Sequence, residues 1–228
     1  MQIELLYRPA FSLGVIHLEG NEEVRVEAAS MVSMSQGITL ETAATGGFLK
    51  SISRAVLGGE SFFQNTYLAP PQGGTITVAP PLPGDLMVLE LHDETLIVQS
   101  GSFLAAAMAI TTDTQWGGAK TFFAGEGLIM LRIQGSGPLL LSSYGAIHEM
   151  NLAAGETITV DTGHIVAFTA GLGFQVRKVG GLKSTLFSGE GLVVDLTGPG
   201  RVLAQTRSIS QFLGWLIPKL PRPSSSGS

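Results

Sequence analysis

The octapeptide Val26-Glu27-Ala28-Ala29-Ser30-Met31-Val32-Ser33 recurs in altered form twice more. The second copy is Val98-Gln99-Ser100-Gly101-Ser102-Phe103-Leu104-Ala105, and the third is Val160-Asp161-Thr162-Gly163-His164-Ile165-Val166-Ala167. Val98 lies 72 residues after Val26, and Val160 lies 62 after Val98. One such match is weak, but the sequence after each copy keeps the same order. First comes a Gly-Gly pair with a lysine just beyond it: Gly46, Gly47 and Lys50; Gly117, Gly118 and Lys120; Gly180, Gly181 and Lys183. A Gly-Glu step that opens an apolar run follows, at Glu60, Glu126 and Glu190. Self-similarity at a spacing of tens of residues is the signature of a repeated supersecondary unit.

Upstream of each octapeptide is a further shared segment, HLEGNEEVRV (17–26), LHDETLIV (91–98) and LAAGETITV (152–160). Each reads as a strand, a polar turn and a second strand. Within the units the apolar period is 2, as in Glu23-Val24-Arg25-Val26, Thr75-Ile76-Thr77-Val78 and Thr157-Ile158-Thr159-Val160. That alternation marks half-buried strands. Turn signals separate them: Gly20-Asn21, residues 71–74, 83–85, 135–138 and 198–200. Many short strands at such spacing predict an all-β sandwich or barrel. The units are placed at 1–84 (with an N-terminal strand), 85–144 and 145–207, together forming one structural domain. The same turns used three times account for 30 glycines among 228 residues, since glycine takes positive φ without a Cβ penalty.

The C-terminus departs from this pattern. Ser208-Ile209-Ser210-Gln211 fits a capping box, with Ser208 as N-cap and Gln211 reaching back, and Pro218 closes a short apolar helix within 208–220. The tail at 221–228 is Pro/Ser/Gly-rich and is expected to be disordered.

Composition narrows the class. With 44% hydrophobic and only 14% charged residues, no cysteine and a net charge of −5, the chain is neither a disordered polypeptide nor a disulfide-stapled domain. Its acidic balance, with no basic run longer than Arg177-Lys178, gives no electrostatic footprint for nucleic acid. Residues 1–14 lack the cationic and apolar regions of a signal peptide, and the weakly polar stretch 101–110 is far short of the roughly 20 residues of a membrane-spanning helix. A cytoplasmic location is the default expectation.

Residues 58–91, the segment VDTGHIVAF (160–168), residues 188–208 and the terminal WLIP (215–218) together resemble the altered-inheritance-of-mitochondria protein twenty-four family. The resemblance covers essentially residues 1–220. It implies three repeats similar to the subunit of the tryptophan RNA-binding attenuation protein, TRAP, as short β-sandwiches related to the double-stranded β-helix. It also implies a homotrimer, three chains closing a ring of nine repeats. Mitochondrial members are linked to inner-membrane organisation, bacterial members carry no assigned reaction, and the family brings no catalytic residues. Triplication supports the ring independently, because an open β-unit leaves edge strands that invite pairing and closure satisfies them.

Candidate site residues are few. His17, His92, His148 and His164 stand at unequal distances from the aligned valines, and no H-x-H or H-x-x-x-H spacing exists, so no metal site or other cofactor is expected. His164 is the best single candidate for a site, being the one ionisable side chain after the glycine of its turn, although a structural histidine bonded to backbone is the favoured reading. Lys50, Lys120 and Lys183 with Glu60, Glu126 and Glu190 would form either a periodic charged face or turn residues whose carboxylates accept backbone N–H bonds. Turn chemistry alone demands such residues. No G-x-S-x-G elbow and no GK[ST] phosphate loop is present. No catalytic constellation is found, and the expected role is a non-enzymatic, ring-forming scaffold or interaction protein, with peripheral membrane contact as an added option and partners other than itself unknown. The rival readings are a small-ligand module using clefts between repeats and, less favoured by charge, RNA binding as in TRAP.

Overall fold

Residues 1–41, 62–113, 129–178 and 192–221 are described by a computed structural model. The first stretch forms β1 (Gln2–Leu6), β2 (Leu13–Leu18), β3 (Glu23–Glu27), β4 (Met31–Met34) and β5 (Thr39–Glu41), followed by β6 (Gln64–Leu68) and β7 (Gly74–Val78). The middle holds β8 (Leu86–Gln99), β9 (Phe103–Ala107), β10 (Thr111–Asp113) and β11 (Met130–Ser142). The last third holds β12 (Ile147–Leu152), β13 (Thr157–Asp161), β14 (Ile165–Thr169), β15 (Gly173–Lys178), β16 (Leu192–Thr197) and β17 (Gly200–Gln205), ahead of one helix, α1 (Ile209–Leu216). The chain is thus all-β with a short C-terminal helix. The alternating segments 23–26, 75–78 and 157–160 all lie within strands, because one face of each strand can then pack on the core.

Strand pairing follows one scheme along the chain. In the first third β2 pairs β7, β3 pairs β6, β4 pairs β7 and β5 pairs β6. In the last third β12 pairs β17, β13 pairs β16, β14 pairs β17 and β15 pairs β16. In the middle, β8 and β11 each serve as two strands run together, and β9 and β10 both pair β11. All these pairs are antiparallel. The octapeptides give β4, β9 and β14 the same irregularity: the register skips Val32, Leu104 and Val166 against β7, β11 and β17. An extra residue of this kind bends the strand and sharpens its twist.

Two of the predicted turns are not reverse turns. Residues 91–98 do not fold back as their counterparts do; β8 runs straight through them, with Asp93 at φ 58°. Counted from its leucine to the octapeptide valine, this copy (91–98) is one residue shorter than the other two (18–26 and 152–160) and lacks their glycine. Opposite it, Gly135-Ser136-Gly137 lies inside β11 and takes up a register shift between Gly135 and Ser136. Gly135 has φ 142°, and a Cβ there would run into the Ala109 carbonyl, which explains the glycine.

Two further ladders stitch the chain together. β9 pairs β3 with Val26 opposite Ala105, and β14 pairs β8 with Val98 opposite Ala167. The first valine of one octapeptide therefore faces the last residue of the next. Three apolar clusters result, around Leu131 and Phe103, around Ile16 and Val24, and around Phe168 and Val194.

α1 begins at Ile209 with Ser208 extended before it, yet the Ser208 hydroxyl caps no backbone N–H; it lies 2.7 Å from the Ser210 hydroxyl instead. The capping box is therefore not formed at its serine end. Past Leu216 a 3-10 turn, Ile217–Lys219, carries Pro218 before the chain becomes extended at Leu220. None of the helix residues is buried. No helix among the described residues is long and apolar enough to cross a membrane.

Candidate functional site

The second residue of each octapeptide is Glu27, Gln99 or Asp161, and all three line one cavity of about 360 Å³. Each first closes its own turn. Glu27 Oε2 accepts from the Ser30 hydroxyl at 3.0 Å, Gln99 Oε1 from the Ser102 hydroxyl at 3.3 Å, and Asp161 Oδ1 from the Gly163 N–H at 2.8 Å. Side chains with oxygen acceptors serve such turns because they satisfy backbone or hydroxyl donors that the bend leaves over. In the second and third copies the turn is a single 3-10 turn, Ser100–Ser102 and Thr162–His164.

Gln205, at the end of β17, ties the wall of this cavity together. Its Oε1 accepts the Tyr144 N–H at 2.8 Å, and its Nε2 donates to the Gly163 carbonyl at 2.9 Å. Its own carbonyl lies 2.7 Å from His164 Nδ1. A carbonyl can only accept, so the His164 proton sits on Nδ1 and the ring is held by backbone. The prolines at 80–81, Ile165, and Ile209 and Leu213 of α1 supply the apolar part of the lining. Phe212 meets Tyr144 edge-on at 6.1 Å between ring centroids, which sets the helix over this end of the molecule.

Below the cavity, Ser143 is fixed by Asp85: the Ser143 N–H donates to the Asp85 carbonyl at 3.1 Å. Burial pushes the Asp85 carboxyl up, but the paired bonds from Arg8, the Leu86 N–H and the Ser12 hydroxyl outweigh that and hold it below the usual carboxylate range. A second, more polar cavity of about 560 Å³ lies between β8 and the last third of the chain, lined by Glu94, Thr95, Glu149, Asn151, Thr169 and Arg201 among others.

The larger part of the sequence-predicted set falls elsewhere. Lys50, Lys120, Lys183, Glu60, Glu126 and Glu190 all lie outside the described residues. His164 is brought to the first cavity's wall, whereas His17, on β2, lies 3.8 Å from Glu4 on β1. Among the described residues no three His, Asp or Glu side chains gather as a metal-binding group. The arrangement can hydrogen-bond and enclose a small molecule of mixed polarity. Sequence reasoning missed Gln205 and the Arg8–Asp85 pair. It also passed over Glu27, Gln99 and Asp161, whose signal was available: the second octapeptide position is always Glu, Gln or Asp.

Comparisons with known proteins agree on one lineage. Residues 3–207 match the family model described as Mitochondrial biogenesis AIM24. An uncharacterized protein of Streptococcus pyogenes serotype M6 is 30% identical over 223 residues, spanning 94% of this chain and 89% of that protein. The X-ray crystal structure of a Streptococcus pyogenes protein superposes with a TM-score of 0.79 at 29% identity, covering 96% of this chain and 99% of the other.

Proposed function

The chain belongs to the Mitochondrial biogenesis AIM24 family, and from that premise we propose that it is a non-enzymatic, self-assembling scaffold built of three TRAP-like units. One observation carries the reading: a single scheme of strand pairing runs three times along the chain, and each unit is sewn to the next by the same ladder, β3 to β9 and β8 to β14. An architecture that extends by repeating one joint is suited to a closed assembly, in which no unit is left at an end. On this reading the chain is an arc, three chains make a nine-unit ring, and the working surface is that of the ring. The exposed side of α1 and the turn after it, with Trp215 and Ile217 each 60% exposed, is the surface it offers to a peripheral membrane contact, by analogy with the family's organelle context.

Light scattering at micromolar concentration tests the reading. A mass of three chains is expected, and a stable monomer overturns it.

A second reading, a small-ligand module, is favoured by the 360 Å³ cavity with Glu27, Gln99 and Asp161 around it, because concave sites of mixed polarity are where small molecules bind. Native mass spectrometry of freshly isolated protein tests it: a stoichiometric small molecule that leaves on substitution of Gln205 supports it, and bare protein counts against it.

A further inference from the structure

We infer that β4 of one chain pairs with β13 of a second copy, antiparallel, with Ser33 opposite Val160, Met34 opposite Thr159 and Ser35 opposite Ile158. The inference rests on the self-assembling reading and specifies its joint.

The register follows from the two joints already present. Between the first and second thirds, Val26 faces Ala105, Arg25 faces Ala106 and Val24 faces Ala107. Between the second and last thirds, Val98 faces Ala167, Ile97 faces Phe168 and Leu96 faces Thr169. By the octapeptide alignment, Ala105 and Ala167 correspond to Ser33, while Val26 and Val98 correspond to Val160. Both observed joints therefore obey one rule, and β4 and β13 are the two strands that this rule leaves over. Among the described residues β4 ends a four-stranded sheet and β13 ends a three-stranded one, each with one ladder.

Burial distinguishes these strands from their counterparts. Phe103, Leu104 and Ala106, like Ile165, Val166 and Phe168, are at most 1% exposed, whereas Met31, Val32 and Met34 at the matching places are 38%, 59% and 43% exposed. Val24 and Val26 are fully buried beneath β9, while Ile158 and Val160, the same positions of β13, are half-buried. An exposed apolar edge strand is a template for pairing, and here both halves of one known joint are present on one chain. Each strand is already held by its own ladder, β4 to β7 and β13 to β16, so a one-residue slip would set the core-facing side chains of one beside the outward-facing side chains of the other, and the register is specified.

The contact is head-to-tail, which closes to a ring or runs on as a filament. The chain has no cysteine, so introduced thiols report without background. Full-length Ser33→Cys and Val160→Cys chains are mixed under a mild oxidant, with Met34→Cys and Thr159→Cys as a second in-register pair and Val32→Cys with Val160→Cys as an off-register one. Disulfide-linked dimers are expected from an in-register mixture and not from the off-register one. In parallel, Val32→Glu, at a site already exposed in the single chain, is expected to lower the mass by light scattering to that of one chain while circular dichroism keeps its β signal. An assembly that forms in the unmodified protein yet gives no in-register cross-link, and survives Val32→Glu, overturns this joint and leaves the scaffold reading standing. An unmodified chain that is monomeric overturns both.

Discussion

Arg8 grips Asp85 through two parallel bonds, Nε to Oδ1 at 2.7 Å and Nη2 to Oδ2 at 2.8 Å, across 77 residues of sequence. The Asp85 side chain is 6% exposed and Arg8 47%, so the carboxylate depends on this partner more than the guanidinium does. The pair anchors the loop after β1 to the start of β8 and, through Asp85, steadies Ser143 beside the cavity. Arg8→Ala is expected to cost about 1 to 2 kcal/mol, the scale for a charged hydrogen bond lost at a partly wet site. Because the Asp85 carboxyl is held low in the folded chain, its contribution is present above the unfolded value of about 4 and fades as pH falls through the folded one. Urea midpoints followed from neutral pH down to about pH 3 should fall more steeply for the unmodified chain than for Asp85→Asn; parallel curves would refute the assignment.

Leu104 and Val32 are the bulge residues of β9 and β4, yet one is fully buried and the other 59% exposed. Leu104→Ala should therefore destabilise the chain by about 3 kcal/mol, the usual cost of a core cavity. Val32→Ala should stay within about 0.5 kcal/mol, as surface changes do, when measured at dilution where chains are separate. Equal losses at the two sites in urea titrations would show that β4 is covered within its own chain.

Gln205 makes its contribution through three atoms at once. Gln205→Ala leaves the Tyr144 N–H and the Gly163 carbonyl without their partner, an expected loss of about 1 to 2 kcal/mol. Gln205→Glu keeps the acceptor for Tyr144 but loses the donor to Gly163. Amide exchange at Tyr144 should therefore quicken in the alanine variant and stay slow in the glutamate one. Quickening in both would place the protection elsewhere.

These residues show what the sequence could and could not convey. Period-2 alternation located β3, β7 and β13 because burial on one face is a local property of the chain. The octapeptide placed β4, β9 and β14 by self-similarity, and its first and last positions even encode the contact between units. The straight run of β8 through His92-Asp93-Glu94 was not legible, since whether a polar tripeptide turns or bulges is decided by the strand opposite, where Gly135 yields. Gln205 was hidden for the same reason: its partners, Tyr144 and Gly163, are 61 and 42 residues away. Pairings of that range carry no periodicity. The helix was foreseen from its capping box, apolar run and Pro218, and Ser208 does stand at its N-cap; the cap bond itself is missing, because the Ser208 hydroxyl pairs with that of Ser210.

α1 is the element whose removal separates folding from covering. Leu213 and Trp215 of the helix and Ile217 of the turn after it are 41%, 60% and 60% exposed, and the stack of Phe212 on Trp215, with Lys219 5.3 Å from the indole centroid, is internal to the segment. An eight-residue helix has little stability alone, so the Phe212–Tyr144 contact and the cavity rim are what hold it in place. A chain ending at Arg207 should keep its β circular dichroism and lose no more than about 1 kcal/mol, since only partly exposed apolar surface is given up. It should also open the cavity, so that an apolar dye such as ANS binds more strongly than to the full chain. Loss of the β signal on truncation would instead make α1 part of the core, although none of its residues is buried.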